Sequence, residues 1–109
     1  MAFDLSEALA RIGGDEELLK EIAGLFLDDA PGMMEAIRVA VRDGDAPALH
    51  RFAHSLKGSV ANFGANETVE SAFKLEKMGA SGKLEGAQLV LEQLEIEIKR
   101  VFTGLSQLA

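Results

Sequence analysis

The sequence has no cysteine, few basic residues and no long apolar run, and each absence narrows the class of protein. Without cysteine there is no disulfide and no cysteine-ligated metal, so a cytoplasmic location is expected. No stretch approaches the roughly 20 apolar residues of a membrane-spanning helix, and the N-terminus lacks an export signal, so we predict no membrane insertion. With 11 basic against 18 acidic residues, the net charge of -7 argues against nucleic acid as a partner.

What is present is the composition of a folded helical protein. Hydrophobic residues make up 48% of the chain and charged residues 27%, which is typical of a globular domain, and 109 residues suit one domain over residues 1–109. Apolar residues recur at helical spacing, and no stretch alternates with the two-residue period of a strand. We therefore predict an all-α fold, an antiparallel four-helix bundle with a short additional N-terminal helix. We expect a monomer, because the core of one bundle accounts for the apolar residues.

Capping residues, glycines and prolines predict where the helices begin and end. The predicted helices are a short one from Asp4 to Ile12, a second from the Asp15 cap to Gly44, a third from the Asp45 cap to about Phe63, a fourth from the Asn66 cap to near Met78, and a last one from about Leu84. Residues 79–82 are predicted to form a turn. Pro31 either kinks the second helix or begins a new one, and we favour one long, kinked helix. The apolar faces of these helices are predicted to include Leu18, Leu25, Phe73 and Leu89.

The third predicted helix carries a histidine on the side away from its apolar residues. At about 100° per residue, His54 lies roughly 140° from the direction of Leu49, so it is expected to face solvent. The predicted buried stripe comprises Leu49, Phe52, Ala53, Leu56, Val60 and Phe63. His50, Lys57, Gly58 and Ala61 share the histidine's side of the helix. A histidine at such a position is more often an incidental surface residue than a functional one. The residues around His54 therefore have to show whether it has a function.

Two neighbours of His54 suggest that its surroundings accommodate an anion. Gly58 follows it by four residues, and a glycine inside a helix costs about 1 kcal/mol relative to alanine, which indicates that the space itself is needed. Lys57, three residues after His54, offers a flexible cation to phosphate oxygens. Together they predict room and charge compensation for a phosphoryl group.

The charges along this helix favour the same interpretation. From Ala46 to Asn66 there is no Asp or Glu, although an even spread of the 18 acidic residues would place about three or four there. Arg51 and Lys57 leave the segment net positive. We therefore expect this acidic chain to keep anionic side chains away from His54, with chance as the competing explanation.

The run from Ala53 to Ser59, AHSLKGS, followed by NFGA at residues 62–65, resembles the signature of histidine-containing phosphotransfer (HPt) domains. The similarity extends to further positions along nearly the whole chain: Phe3-Asp4, Gly13-Gly14-Asp15, Leu25-Phe26, Gly44-Asp45 and Leu75-Glu76. The segment between Asn66 and Gly82 is less typical, for example at Ser71-Ala72-Phe73-Lys74.

The resemblance implies a phosphorelay intermediate of two-component signalling. His54 would accept a phosphoryl group from a receiver-domain aspartyl phosphate and pass it to another receiver, with Lys57 stabilising the phosphate and Gly58 giving steric clearance. His50, Arg51 and Ala61 are possible supporting residues. The implied partners are response-regulator receiver domains and a sensor histidine kinase. The chain would need no cofactor of its own, since Mg²⁺ is expected in the partner receiver.

Three alternatives remain open from the sequence. His50 and His54 have the i, i+4 spacing of a shared metal site, but two ligands are too few for tight binding. A non-catalytic helical adaptor would make His54 incidental. The amino-terminal domain of a chemotaxis-type kinase is a third, although we see no ATP-binding or kinase motif and predict that the chain is not itself an enzyme.

Overall fold

The computed structural model describes residues 5–108, and within that range the regular structure is entirely helical. The five helices are α1 (Leu5–Arg11), α2 (Glu16–Asp43), α3 (Ala46–Ala61), α4 (Asn66–Ser81) and α5 (Ala87–Ser106). Contacts of α2 with α3, α3 with α4, α4 with α5 and α5 with α2 close a four-helix bundle, and α1 packs against α2. Short connections make successive helices of the bundle antiparallel. The predicted fold class is confirmed.

The second helix is a single element, as the sequence favoured. The Asp15 carboxylate accepts a hydrogen bond from the Leu18 amide at 3.0 Å and so caps its first turn. Pro31 is exposed, and α2 continues through it for another three turns. Gly44 ends the helix with a φ of 67°, a left-handed conformation that glycine adopts without strain.

Other boundaries differ from the predicted ones. The third helix ends at Ala61, and the chain then turns so that Phe63 is fully buried. Asn66 is the first residue of α4 and not its cap, because Ala65 takes the cap position without a side-chain bond. The predicted turn over residues 79–82 is wrong: α4 continues to Ser81 with Gly79 buried inside it, since packing against α3 outweighs the low helix propensity of glycine. The last helix begins at Ala87, later than predicted, and the predicted Asp4 cap lies outside the described residues.

The core lies between the four long helices and is built from aliphatic side chains and two phenylalanines. The ring of Phe26 on α2 contacts the ring of Phe63 edge-on, with centroids 5.4 Å apart. Among the largest fully buried side chains are Phe63, Met34, Ile37, Leu49, Leu56, Leu75, Leu94 and Leu105. Within residues 5–108, none of the helices is long and apolar enough to cross a membrane.

Four side chains that the periodicity assigned to apolar faces are exposed. They are Leu18 (39% exposed), Leu25 (65%), Phe73 (42%) and Leu89 (72%). At about 100° per residue, each lies well round its helix from the buried residues, for example Phe73 about 160° from Leu75 and Leu89 about 160° from Leu91, so burial of the apolar stripe turns it towards solvent. Leu25 and Phe73 flank the site described below.

Candidate functional site

The third helix presents His54 to solvent, as its periodicity predicts. Its imidazole is 65% exposed, whereas Leu49, Ala53, Leu56 and Val60 on the opposite side are fully buried. Burial of that stripe against α2 and α4 fixes the rotation of α3 about its axis. The rotation in turn fixes the direction of His54.

A carboxylate from the neighbouring helix contacts His54, and the sequence did not predict it. Glu76 on α4 places Oε2 3.0 Å from Nδ1 of His54 and Oε1 2.8 Å from Nζ of Lys57. Its side chain is only 13% exposed. The expectation that anionic side chains stay away from His54 is wrong, because it considered α3 alone. The only signal was the pair Leu75-Glu76, which entered as part of the family resemblance without a role.

The charge of Glu76 determines which imidazole nitrogen is protonated. Burial by itself raises the pKa of Glu76, but the Lys57 ammonium and the His54 ring outweigh it, so this pKa lies below its usual value of 4.5. An ionised carboxylate can only accept a hydrogen bond, so Nδ1 of His54 must donate. In the neutral ring the lone pair then lies on Nε2, which makes no hydrogen bond within the described part of the chain.

Lys57 lies between the carboxylate and an aromatic ring. Its Nζ is 4.7 Å from the centroid of Phe73, whose ring also has the Lys77 ammonium 4.5 Å from its centroid. The Lys57 side chain is 26% exposed. The cation predicted beside His54 is therefore held by α4 and contacts the same carboxylate as the histidine.

Gly58 leaves open space on the surface of α3. A Cβ built at this position would meet no heavy atom within 4 Å, its own helix backbone aside. Packing therefore does not require glycine here, and helix propensity disfavours it. The clearance predicted one turn after His54 is present in the structure.

The three possible supporting residues differ in their relation to the site. Nε2 of His50 lies 4.0 Å from the same Glu76 oxygen that contacts His54, and the two imidazole centroids are 6.4 Å apart. Arg51 packs over the ring of Phe52, 4.7 Å from its centroid, and makes no ion pair within residues 5–108. Ala61 is half-buried, two turns beyond His54 on the same side of α3. Across the described residues, no group of three His, Asp or Glu side chains is arranged to hold a metal ion.

A groove between α2 and α3 begins beyond Gly58. It has a volume of about 290 Å³ and is lined by Ile22, Leu25, Phe26, Asp29, Met33, Ser59, Asn62 and Phe63. Leu25, at 65% exposure, stands at its rim. Five of the eight lining residues are apolar and three are polar, a mixture that is usual on a protein-binding surface.

Comparison with known proteins identifies the family. The model of the Hpt domain matches residues 21–104, which include all of α3 and α4. The chain belongs to the Hpt domain family. The crystal structure of histidine-containing phosphotransfer protein B from Pseudomonas aeruginosa PAO1 is similar to this Hpt domain, with 29% identity and a TM-score of 0.87. The match covers 97% of this chain and 92% of that one. No curated protein sequence gives a match.

Membership of the family confirms the predicted function at the level of the whole chain. This Hpt domain is a phosphorelay intermediate of two-component signalling. Hpt domains carry phosphoryl groups and are not kinases, and their partners in general are receiver domains and histidine kinases.

Proposed function

We propose that His54 is the residue of this Hpt domain that carries the phosphoryl group, and that Nε2 is the atom that forms the bond. The observation that supports this most strongly is the contact of Glu76 with Nδ1. It leaves the lone pair on Nε2 of an imidazole that is 65% exposed, and a neutral imidazole nitrogen needs no further base. The chain would accept from a receiver aspartyl phosphate and donate to another receiver aspartate.

The transfer step places a positive charge on the imidazole, and Glu76 is located to stabilise it. The P–O bond of the aspartyl phosphate breaks as the P–Nε2 bond forms, and the aspartate carboxylate leaves with the bonding electrons. The proton stays on Nδ1, so the phosphorylated ring is cationic. The carboxylate 3.0 Å away stabilises that charge as it develops. Loss of the phosphoryl group to the next receiver reverses each change.

Lys57 and Gly58 would act on the phosphoryl group itself. The Lys57 ammonium is on a flexible stem, and the doubly charged phosphoryl competes with Glu76 for it. Gly58 leaves the approach to His54 open for the in-line geometry that phosphoryl transfer requires. The Mg²⁺ ion and the acidic pocket of the reaction would come from the receiver.

The groove between α2 and α3 is the surface on which we expect the receiver to dock. Its lining residue Asn62 lies one helical turn after Gly58, so a partner seated in the groove would bring its aspartate towards Nε2. Exposed Leu25 would be buried by that contact and would contribute apolar area to binding. The same surface would serve donor and acceptor receivers in turn, which suits a carrier expected to be monomeric and cytoplasmic.

The chain has only two histidines, which permits a direct test. The purified domain is incubated with a panel of phosphorylated receiver domains, and acid-labile, base-stable label is followed over time. His54→Gln is expected to abolish labelling. His50→Gln, which replaces the chain's other histidine one turn earlier on the same helix, is the matched control and is expected to retain labelling. Labelling that survives His54→Gln would contradict the proposal.

A further inference from the structure

A close approach of the α3 and α4 backbones lies one turn from the site. Gly79 is buried on α4, three residues after Glu76. A Cβ at Gly79 would overlap the backbone nitrogen of His50, and would lie 2.8 Å from the Cα of His50 and 2.8 Å from the carbonyl oxygen of Ala46. These atoms belong to the first turns of α3. Because they are backbone atoms inside a helix, they cannot yield as the end of a flexible side chain would.

The contact lies on the same faces of the two helices as the site. Residues three or four positions apart are neighbours on a helix surface, so Gly79 is next to Glu76 on α4 and His50 is next to His54 on α3. The distance between α3 and α4 at Gly79 therefore sets the distance between the two helices at Glu76. No other helical glycine whose surroundings are described has a comparable contact, since Gly24, Gly32 and Gly58 have nothing within 4 Å.

We infer that Gly79 is a positioning residue for phosphoryl transfer, because its missing side chain lets Glu76 reach Nδ1 of His54. Carbon atoms in contact need about 3.5 Å or more, so a methyl group at Gly79 separates the helices locally by about 1 Å. An Nδ1–Oε2 distance of 3.0 Å then lengthens to roughly 4 Å, beyond hydrogen-bond range. The inference rests on the proposed role of His54.

The consequence is a loss of tautomer control while His54 itself is untouched. Without its acceptor, Nδ1 no longer has a fixed proton, and the lone pair is shared between both ring nitrogens. A displacement of about 1 Å in a catalytic arrangement can slow a reaction by up to roughly 100-fold. Gly79→Ala is expected to slow phosphoryl uptake at least about 10-fold on the same physical ground.

The test combines NMR spectroscopy of the histidine ring nitrogens with the rate of uptake. In the wild type the ¹⁵N signals of His54 are expected to be widely separated, as in a single tautomer. In Gly79→Ala they are expected to move towards each other. Gly24→Ala is the matched control: it also adds a methyl group to a glycine inside a helix, but into open space and away from the groove-lining face of α2, and both measurements should stay at wild-type values. His54 signals unchanged in a folded Gly79→Ala would overturn the inference.

A double-mutant cycle distinguishes positioning from a general loss of stability. If Gly79 acts through Glu76, Gly79→Ala should have no further effect on the tautomer or the rate in a Glu76→Ala background. Additive effects would overturn the inference. If Gly79→Ala folds poorly, the measurements are repeated in a chain that also carries Gly24→Ala and Gly32→Ala. These two substitutions are expected to stabilise α2, because each adds a methyl group in open space. Failure to fold there too would show that Gly79 is a folding requirement, and would reject the positioning role.

The ring-nitrogen signals need no partner, so the outcome is independent of the proposed function. If Gly79→Ala shifts them but the wild type takes up no phosphoryl group, the packing argument stands and the role of His54 is wrong. If the wild type is labelled on His54 but Gly79→Ala changes nothing, only the inference about Gly79 fails.

Discussion

Glu76 and His54 lie 22 residues apart in the sequence, on different helices, and 3.0 Å apart in the structure. The same carboxylate contacts Lys57 at 2.8 Å. Glu76 therefore connects His54 and Lys57. The sequence had assigned His54 and Lys57 to the site but not Glu76. The connection gives the imidazole a defined tautomer and gives the lysine a defined place.

The variant Glu76→Gln tests the negative charge of Glu76 separately from its hydrogen bond with His54. The amide oxygen can still accept from Nδ1, so the tautomer is kept, but the carboxylate no longer balances the cationic ring or pairs with Lys57. We expect phosphoryl uptake to slow for Glu76→Gln, which removes the charge, and to slow further for Glu76→Ala, which removes the whole contact, by about 100-fold, the lower end of the cost of losing one preorganised electrostatic contact. Uptake rates from one phosphorylated receiver check this. Glu70→Gln, an exposed glutamate on the same helix, should react at the wild-type rate, and equal rates for all four proteins would exclude a role for Glu76.

The lowered pKa of Glu76 predicts a pH dependence of folding stability. Its folded value lies below the usual 4.5, so ionised Glu76 stabilises the folded state, in full at pH values above 4.5. That stabilisation is lost as the pH falls through the folded-state value. The free energy of unfolding of the wild type minus that of Glu76→Gln should therefore shrink as the pH falls below 4.5. Urea titrations at intervals from about pH 4.5 down to about pH 3 measure it, and a difference that grows over this range would contradict the assignment.

Glycine at position 58 is predicted to lower the folding stability of the domain and to keep the approach to His54 open. Because a Cβ there meets open space, Gly58→Ala should raise the free energy of unfolding by about 0.5–1 kcal/mol through helix propensity. The methyl group narrows the approach to His54, so uptake should slow, and a larger side chain in Gly58→Leu should slow it further. Gly24→Ala should give a similar gain in stability with no change in rate. A faster reaction in Gly58→Leu would refute the clearance role.

A buried glutamate between α4 and α5 should matter for stability and not for transfer. Glu97 is 4% exposed and accepts hydrogen bonds from Ser71 Oγ at 2.6 Å and from Gln93 Nε2 at 2.9 Å. Ser71→Ala leaves one buried carboxylate oxygen without that donor and should cost about 1–3 kcal/mol of unfolding free energy. Chemical denaturation measures the loss. Ser81→Ala, at an exposed helix end, should cost less than about 0.5 kcal/mol, and both variants should take up phosphoryl groups at the wild-type rate.

The sequence by itself determined the features that depend on one helix at a time. Periodicity predicted the all-α fold and the exposure of His54, because the angle between residues on a helix is fixed by backbone geometry. Helix propensity singled out Gly58, and the spacing of three residues placed Lys57 beside the histidine. The local motif also carried the resemblance that family membership confirms.

Only the tertiary structure decided the features that depend on two helices. The position of Glu76 against His54 follows from how α4 lies on α3, and no charge count along one helix can show it. Gly79 was predicted in a turn because glycine disfavours helices, whereas its burial against the α3 backbone is a property of the pair. Leu25 and Phe73 were predicted on buried faces, yet both are exposed because no neighbouring helix covers them. Packing between elements depends on distances through space, and these become defined only when the bundle closes.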